Sequence, residues 1–156
     1  MITPPKADPA IYPKLRERAL QMRIPGLNKE IVQAVLMDWH VDNGIMTVLA
    51  AIDGTGSIYL SSGGGFIGGS KKEHTIRETA LFAVRLGTIL KSQFTKTENF
   101  ALPTPENVGF FLVTGEDVLA TQASREAVLA GNDPLTILSS TMQLIVTGYR
   151  FISHKH

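Results

Sequence analysis

Three polar side chains alternate along one stretch of the chain and form its best candidate for acid–base or metal chemistry. Asp38, His40 and Asp42 are spaced two residues apart, so on a β-strand all three side chains would project from the same face. Two carboxylates and an imidazole on one face can hold a divalent cation or exchange protons with a substrate. The stretch runs directly into a turn, however, where polar residues are commonly just solvated. A solvated strand end is therefore the favoured interpretation.

A glycine-rich segment with the sequence SSGGGFIGGSKK is the second candidate site. Backbone N–H groups at a helix start, beside two lysines, would suit a phosphate or another anion. Three of the glycines match the spacing of a dinucleotide fingerprint, but that fingerprint belongs to a parallel strand–helix–strand unit, and antiparallel hairpins precede the segment here. We therefore expect a close turn of the backbone, with an anion or small-molecule sensor in loop 63–72 as the alternative. The residues of that alternative site are Gly63, Gly65, Gly68, Lys71 and Lys72.

No nucleophile motif accompanies these two candidates. The chain has no cysteine, which excludes disulfides, thiol catalysis and cysteine-bound zinc, and its serines occur in none of the usual catalytic motifs. His74 and Glu78 are one helical turn apart but lack the second histidine of a zinc protease helix, so we expect a surface pair. The sequence accordingly predicts a protein that is not an enzyme and carries no cofactor and no metal.

Composition and charge indicate one ordinary globular domain. The 156 residues are 44% hydrophobic with a net charge of +1, which is enough for a core and too balanced for a dedicated nucleic-acid binder. The proline-rich start, MITPPKADPA, has no apolar centre, so we expect no signal peptide. No apolar run approaches the ~20 residues of a membrane helix. We expect a cytoplasmic protein that binds neither nucleic acid nor membrane, with a lead-in at 1–10, a domain at 11–152 and a tail at 153–156.

Three apolar runs separated by glycine turns lie between residues 31 and 62, and we expect them to be the strands that carry these candidate residues. Asp42-Asn43-Gly44 separates the first two runs, which is a strong short-range hairpin signal, and a second turn contains Gly54 and Gly56. Further along, Gly115-Glu116-Asp117 lies between two more apolar runs, and residues 125–131 fit either a helical turn or an edge strand. The predicted strands are residues 31–40, 45–52, 57–62, 108–114 and 118–124.

Helical periodicity predicts three helices between and around these strands. One begins near Pro13, another spans about residues 71–94, and the last begins at Pro134 after the cap residue Asp133. The middle helix contains Gly87, which costs about 1 kcal/mol relative to alanine. We therefore expect another element to approach the helix backbone closely at this glycine.

The last helix predicts a second subunit. It has no charged side chain from Pro134 to Tyr149, whereas a helix with one face in water normally carries charges there. We therefore predict a homodimer, with the stripe containing Met142, Ile145 and Tyr149 at its interface. A second stripe runs alongside the first and consists of Ile137, Thr141, Leu144, Gly148 and Phe151.

The predicted order of elements is helix, three strands, helix, two strands and helix, which makes an α+β fold with one antiparallel sheet of about five strands. With the segments AAIDGTGSIYLSSGGGFIGG and NDPLTILSSTMQLI, this order resembles the profilin-like group, which includes the roadblock/dynein-light-chain domains. The chain is also similar to a set of bacterial proteins of unknown function that share an IDGT-S-Y-S-GGG-IG pattern. Roadblock domains place two strands before the middle helix and three after it, the reverse of this chain. The resemblance implies a dimeric platform that binds a small GTPase or another regulatory protein.

Overall fold

A computed structural model describes residues 8–66 and 73–154 of the chain. Within these residues the fold is α+β, with one antiparallel sheet of seven strands and helices on both of its faces. The strands are β1 (Val32–Val41), β2 (Gly44–Ala51), β3 (Gly56–Leu60), β4 (Gly65–Phe66), β5 (Thr95–Lys96), β6 (Asn107–Thr114) and β7 (Val118–Ser124). They lie across the sheet in the order β4-β3-β2-β1-β6-β7-β5. The predicted fold class is confirmed, and the sheet has two short edge strands, β4 and β5, beyond the five that were predicted.

Four α-helices accompany the sheet in the described part of the chain. Residues 125–131, which the sequence left open, form a short helix capped by the hydroxyl of Ser124. The last helix continues to His154, which is the second residue of the predicted tail, and residues 1–7 of the predicted lead-in lie outside the described residues. None of the described helices has the length and apolar character needed to cross a membrane. The helices are α1 (Ile11–Gln21), α2 (His74–Ile89), α3 (Arg125–Ala130) and α4 (Thr136–His154).

Strand β1 lies at the centre of the sheet because helices cover it from both sides. Its residues are buried from Val32 to Trp39. Val35 and Met37 pack in the core under α2 and α4, while Leu36 packs in the core under α1. This alternation follows from the two-residue period of a strand. The hairpin predicted at Asn43-Gly44 is confirmed, since Val41 pairs with Gly44 across it.

Two glycines allow the helices to pack closely on one face of the sheet. A Cβ atom on Gly87 of α2 would lie 2.9 Å from Leu112 Cδ2 and 3.0 Å from Val35 Cγ2, so the close approach expected at this position is confirmed. A Cβ atom on Gly148 of α4 would lie 2.8 Å from Ile76 Cγ1 in α2. The start of α2 therefore lies against the second half of α4.

Candidate functional site

Asp38 is fully buried beneath α1 and is not part of a solvated strand end. Arg16 donates to its two carboxylate oxygens, from Nε over 3.2 Å and from Nη2 over 2.7 Å. The hydroxyl of Thr47 donates to Asp38 Oδ1 over 2.6 Å and accepts from the hydroxyl of Tyr12 over 2.6 Å. Burial raises the pKa of Tyr12 to about 12. These four side chains anchor α1 to the sheet through a buried ion pair and its hydrogen bonds.

The other two residues of the predicted polar face have different surroundings. His40 is half-buried, and its Nε2 lies 2.8 Å from the carbonyl oxygen of Pro103. Asp42 is exposed in the turn after β1. Across residues 8–66 and 73–154, no three histidine, aspartate or glutamate side chains are grouped so that they could hold a metal ion. Asp38 therefore binds Arg16 of α1, while Asp42 is exposed to water.

The pair predicted at His74 and Glu78 lies at the surface, and Trp39 lies in the core. His74 and Glu78 are both exposed, and their Nδ1 and Oε1 atoms are 4.0 Å apart, which makes them a surface pair. Trp39 is directed to the opposite face of the sheet from Asp38 and is buried in the core under α2 and α4. The guanidinium of Arg125 lies 4.7 Å from the centre of its ring, a distance typical of a cation–π contact.

Residues 61–66 of the glycine-rich segment form a tight turn from β3 into β4. Its three successive glycines from Gly63 to Gly65 have φ between +83° and +135°, a region that other residues rarely adopt. A Cβ atom on Gly65 would lie 2.0 Å from the carbonyl oxygen of Ile58. Backbone geometry therefore accounts for the described glycines without a ligand. The remaining residues of the predicted anion site, Gly68, Lys71 and Lys72, lie outside the described residues.

The residues predicted for the dimer interface are buried within the single chain. Met142 and Ile145 have no exposed surface and Tyr149 is 3% exposed. The hydroxyl of Tyr149 donates to the carbonyl oxygen of Gly56 over 2.6 Å, and its ring stacks on Phe66 with 4.7 Å between centroids. The choice of these three residues was therefore wrong, because the sheet buries this stripe of α4. Pairing of subunits itself stays a prediction.

Three residues of the second stripe of α4 are exposed, whereas Thr141 of that stripe is buried and Gly148 packs against Ile76. Ile137, Leu144 and Phe151 are 54%, 55% and 67% exposed. On α2, Phe82 and Ile89 are 46% and 74% exposed. Single exposed apolar residues are ordinary, but five large ones on two adjacent helices form a candidate interaction surface. We call these five residues the outer helix face.

The outer helix face carries few charges, although Arg85 is exposed on α2 between Phe82 and Ile89. Gly148 of α4 packs against Ile76 of α2, so the two helices are neighbours on this side of the sheet. In α2 the only charged residue between Thr79 and Ile89 is Arg85, and α4 has none between Thr136 and Tyr149. Another apolar surface could therefore pack against this face with few charged side chains to desolvate.

The size of this face suits a small dimer interface. Helices of 16 and 19 residues are about 24 and 28 Å long at 1.5 Å per residue. With axes about 8–10 Å apart they present a face roughly 20 Å wide. The projected area is therefore roughly 500 Å², and the accessible area is larger because the side chains protrude. Typical stable interfaces bury about 800 Å² per partner.

The buried ion pair of α1 and the outward residues of α2 were missed at the sequence level. An arginine on a helix is usually exposed to solvent, yet Arg16 is 8% exposed. The residues of α1 that are buried are Tyr12, Arg16, Ala19 and Leu20. One signal was present, since an aspartate inside the apolar run VLMDWH needs a positive partner when the strand is buried.

Comparisons of the chain with protein-family models, with curated proteins and with solved structures find no match. The resemblance to profilin-like and roadblock-like domains therefore stays a prediction. What the described residues share with it is an antiparallel sheet with helices on both faces.

Proposed function

We propose that this chain is a homodimeric, non-catalytic interaction module whose two copies pair through the outer helix face. The observation that carries the proposal is the set of five large apolar side chains, each 46–74% exposed, on two adjacent helices. A two-fold dimer needs one self-complementary surface, and a nearly uncharged apolar face meets that need without charge pairing. Hydrophobic burial supplies the driving force.

The polar residues support a structural role over catalysis. Asp38 is fully buried and paired with Arg16, so a substrate cannot reach its carboxylate. His40 Nε2 is already within hydrogen-bond distance of the Pro103 carbonyl oxygen. Pairing through α2 and α4 leaves α1 and its face of the sheet free in both copies. In the function that the resemblance implies, a small GTPase or another regulatory protein would bind the paired module.

Sedimentation equilibrium between about 1 and 100 μM tests the proposal, in a range that covers the affinity of a modest apolar interface. The expected mass at the upper end is twice the 17.0 kDa of one chain. Leu144→Asp is expected to give the single-chain mass throughout, because pairing would bury two carboxylates without partners. The control is Ile11→Asp, at a residue that is 47% exposed on α1, across the sheet from the outer helix face. A single-chain mass for the unaltered protein at 100 μM, or equal dissociation by the control, contradicts the proposal.

A further inference from the structure

A cleft of about 530 Å³ lies beside α1, on the other side of the sheet from the outer helix face. One wall is α1, and the other is the loop that joins β5 to β6. The volume falls within the range of about 300–1,000 Å³ typical of small-molecule sites. The side chains that matter for its chemistry are Tyr12, Arg16, Glu17, Leu20, Phe100 and Leu102.

Arg16 presents unused hydrogen-bond donors to this cleft. Its Nε and Nη2 atoms donate to Asp38, but no described residue accepts a hydrogen bond from its Nη1. Among the described residues no fully buried polar side-chain atom lacks a partner, so Nη1 must reach open space. Because the side chain is only 10% exposed and lines the cleft, that space is the cleft. Nη1 carries two N–H donors.

The guanidinium is also fixed in place before any ligand arrives. The two hydrogen bonds to Asp38 hold one edge of its plane, and the ring of Phe111 lies 5.2 Å from its central carbon. Donors held in this way lose little freedom when they bind an acceptor, which favours affinity. The cleft therefore combines a prepared pair of donors with apolar walls.

The charges around the cleft select a neutral acceptor. Asp38 cancels the charge of Arg16, and Glu17 adds a further carboxylate to the cleft wall. A second carboxylate at Nη1 would share one guanidinium with Asp38 and be repelled by Glu17. An ammonium group would be attracted by Glu17, which already accepts from Gln21 Nε2, but at Nη1 it would place a donor against donors. An uncharged carbonyl oxygen accepts from Nη1 without either penalty.

We propose that this cleft binds a neutral, mainly apolar molecule that carries a carbonyl oxygen, such as the amide or ester of a short acyl chain. The oxygen accepts from Arg16 Nη1, and the acyl chain packs against Leu20, Phe100 and Leu102. Because the cleft and the outer helix face lie on opposite sides of the sheet, this site does not depend on pairing of subunits. The two proposals therefore fail or succeed separately.

Three compounds of equal chain length test the proposal: hexanamide, hexanoate and hexylamine, titrated into the full chain and followed through its ¹H–¹⁵N NMR spectrum. A ligand with about eight non-hydrogen atoms is expected to bind with a Kd of about 1 mM. Hexanamide should shift the amide signals of Arg16, Phe100 and Leu102 to saturation. Hexanoate should bind about tenfold or more weakly, and hexylamine should not saturate.

A pair of variants locates the binding. Leu102 is 44% exposed, so Leu102→Asp keeps the fold and is expected to weaken hexanamide binding about tenfold by removing part of the apolar wall. The control is Leu129→Asp, at a residue that is 69% exposed on α3, and it is expected to leave binding unchanged. The same spectra report whether each variant is folded. Unsaturable shifts with hexanamide, equal binding of hexanoate, or unchanged binding in Leu102→Asp overturns the proposal.

Discussion

Two residues that lie two positions apart on α4 are expected to respond in opposite ways to the same substitution. Met142 has no exposed surface and Leu144 is 55% exposed. Met142→Asp removes a buried side chain, which costs about 2–5 kcal/mol for truncation alone, and places a carboxylate in the core at a further cost of several kcal/mol. Since whole domains are stable by about 5–15 kcal/mol, most of the Met142→Asp chains are expected to be unfolded.

Leu144→Asp is expected to keep the fold and to lose pairing. Surface substitutions usually change stability by about 0.5 kcal/mol or less, and aspartate adds a helix-propensity cost of similar size. A milder change calibrates the interface. Pairing would bury about half of the Leu144 side chain, which supplies roughly 1 kcal/mol of hydrophobic free energy in each copy, and Leu144→Ser removes it. The two copies together lose roughly 2 kcal/mol, which corresponds to about a 30-fold weaker dimer.

The assay for the single chain is urea unfolding at about 1 μM, where a modest dimer is dissociated. Trp39 is 8% exposed and is the chain's one tryptophan, so its fluorescence follows the core directly. A Met142→Asp variant that stays within about 1 kcal/mol of the unaltered protein would show that this stripe of α4 is not in the core. An unfolded Leu144→Asp variant would refute the outward orientation of Leu144.

Two further predictions concern pH and the glycine turn. Because the pKa of Tyr12 is raised from 10.0 to about 12, the folded chain keeps the phenol proton between these pH values while the unfolded chain loses it. The free energy of unfolding should therefore fall by at most about 3 kcal/mol as the pH rises from 10 to 12. In the Tyr12→Phe variant, the free energy of unfolding measured with urea should fall less steeply over this range. An equal slope in both proteins would contradict the raised pKa of Tyr12. Gly65→Ala should cost more than about 2 kcal/mol, because its Cβ would collide with the carbonyl oxygen of Ile58. Gly131→Ala, also at positive φ but with nothing within 4 Å of its Cβ, should cost only about 1 kcal/mol, and equal costs would argue against the collision.

The hairpins of the sheet could be predicted because their signals are local. Asp42-Asn43-Gly44 marks one reversal, and the apolar runs beside it have matching lengths. The strand predicted at residues 118–124 has the bounds of β7. Strands β4 and β5 were missed because each contains two residues, too few to show any period.

The faces of the helices could not be predicted because they depend on distant partners. Both stripes of α4 have helical spacing, so periodicity alone cannot tell which of them the sheet covers. In α1 the orientation is set by Arg16, whose partner Asp38 is 22 residues away in the chain. A short window of sequence around Arg16 predicts a solvated arginine because it does not contain Asp38. A buried carboxylate on another element needs a positive partner, and this draws the arginine into the interior.

Distances between the two copies test the pairing through the outer helix face most directly. The chain has no cysteine, so Thr147→Cys, at an exposed position of α4, carries a single nitroxide label, and Lys14→Cys places one on the exposed side of α1. With about 10 Å between successive layers of helices and sheet, the pairing predicts labels at Thr147 about 25 Å apart or closer, and labels at Lys14 roughly 50 Å apart. A shorter distance at Lys14 than at Thr147, or no dipolar signal between copies at about 100 μM, would contradict it.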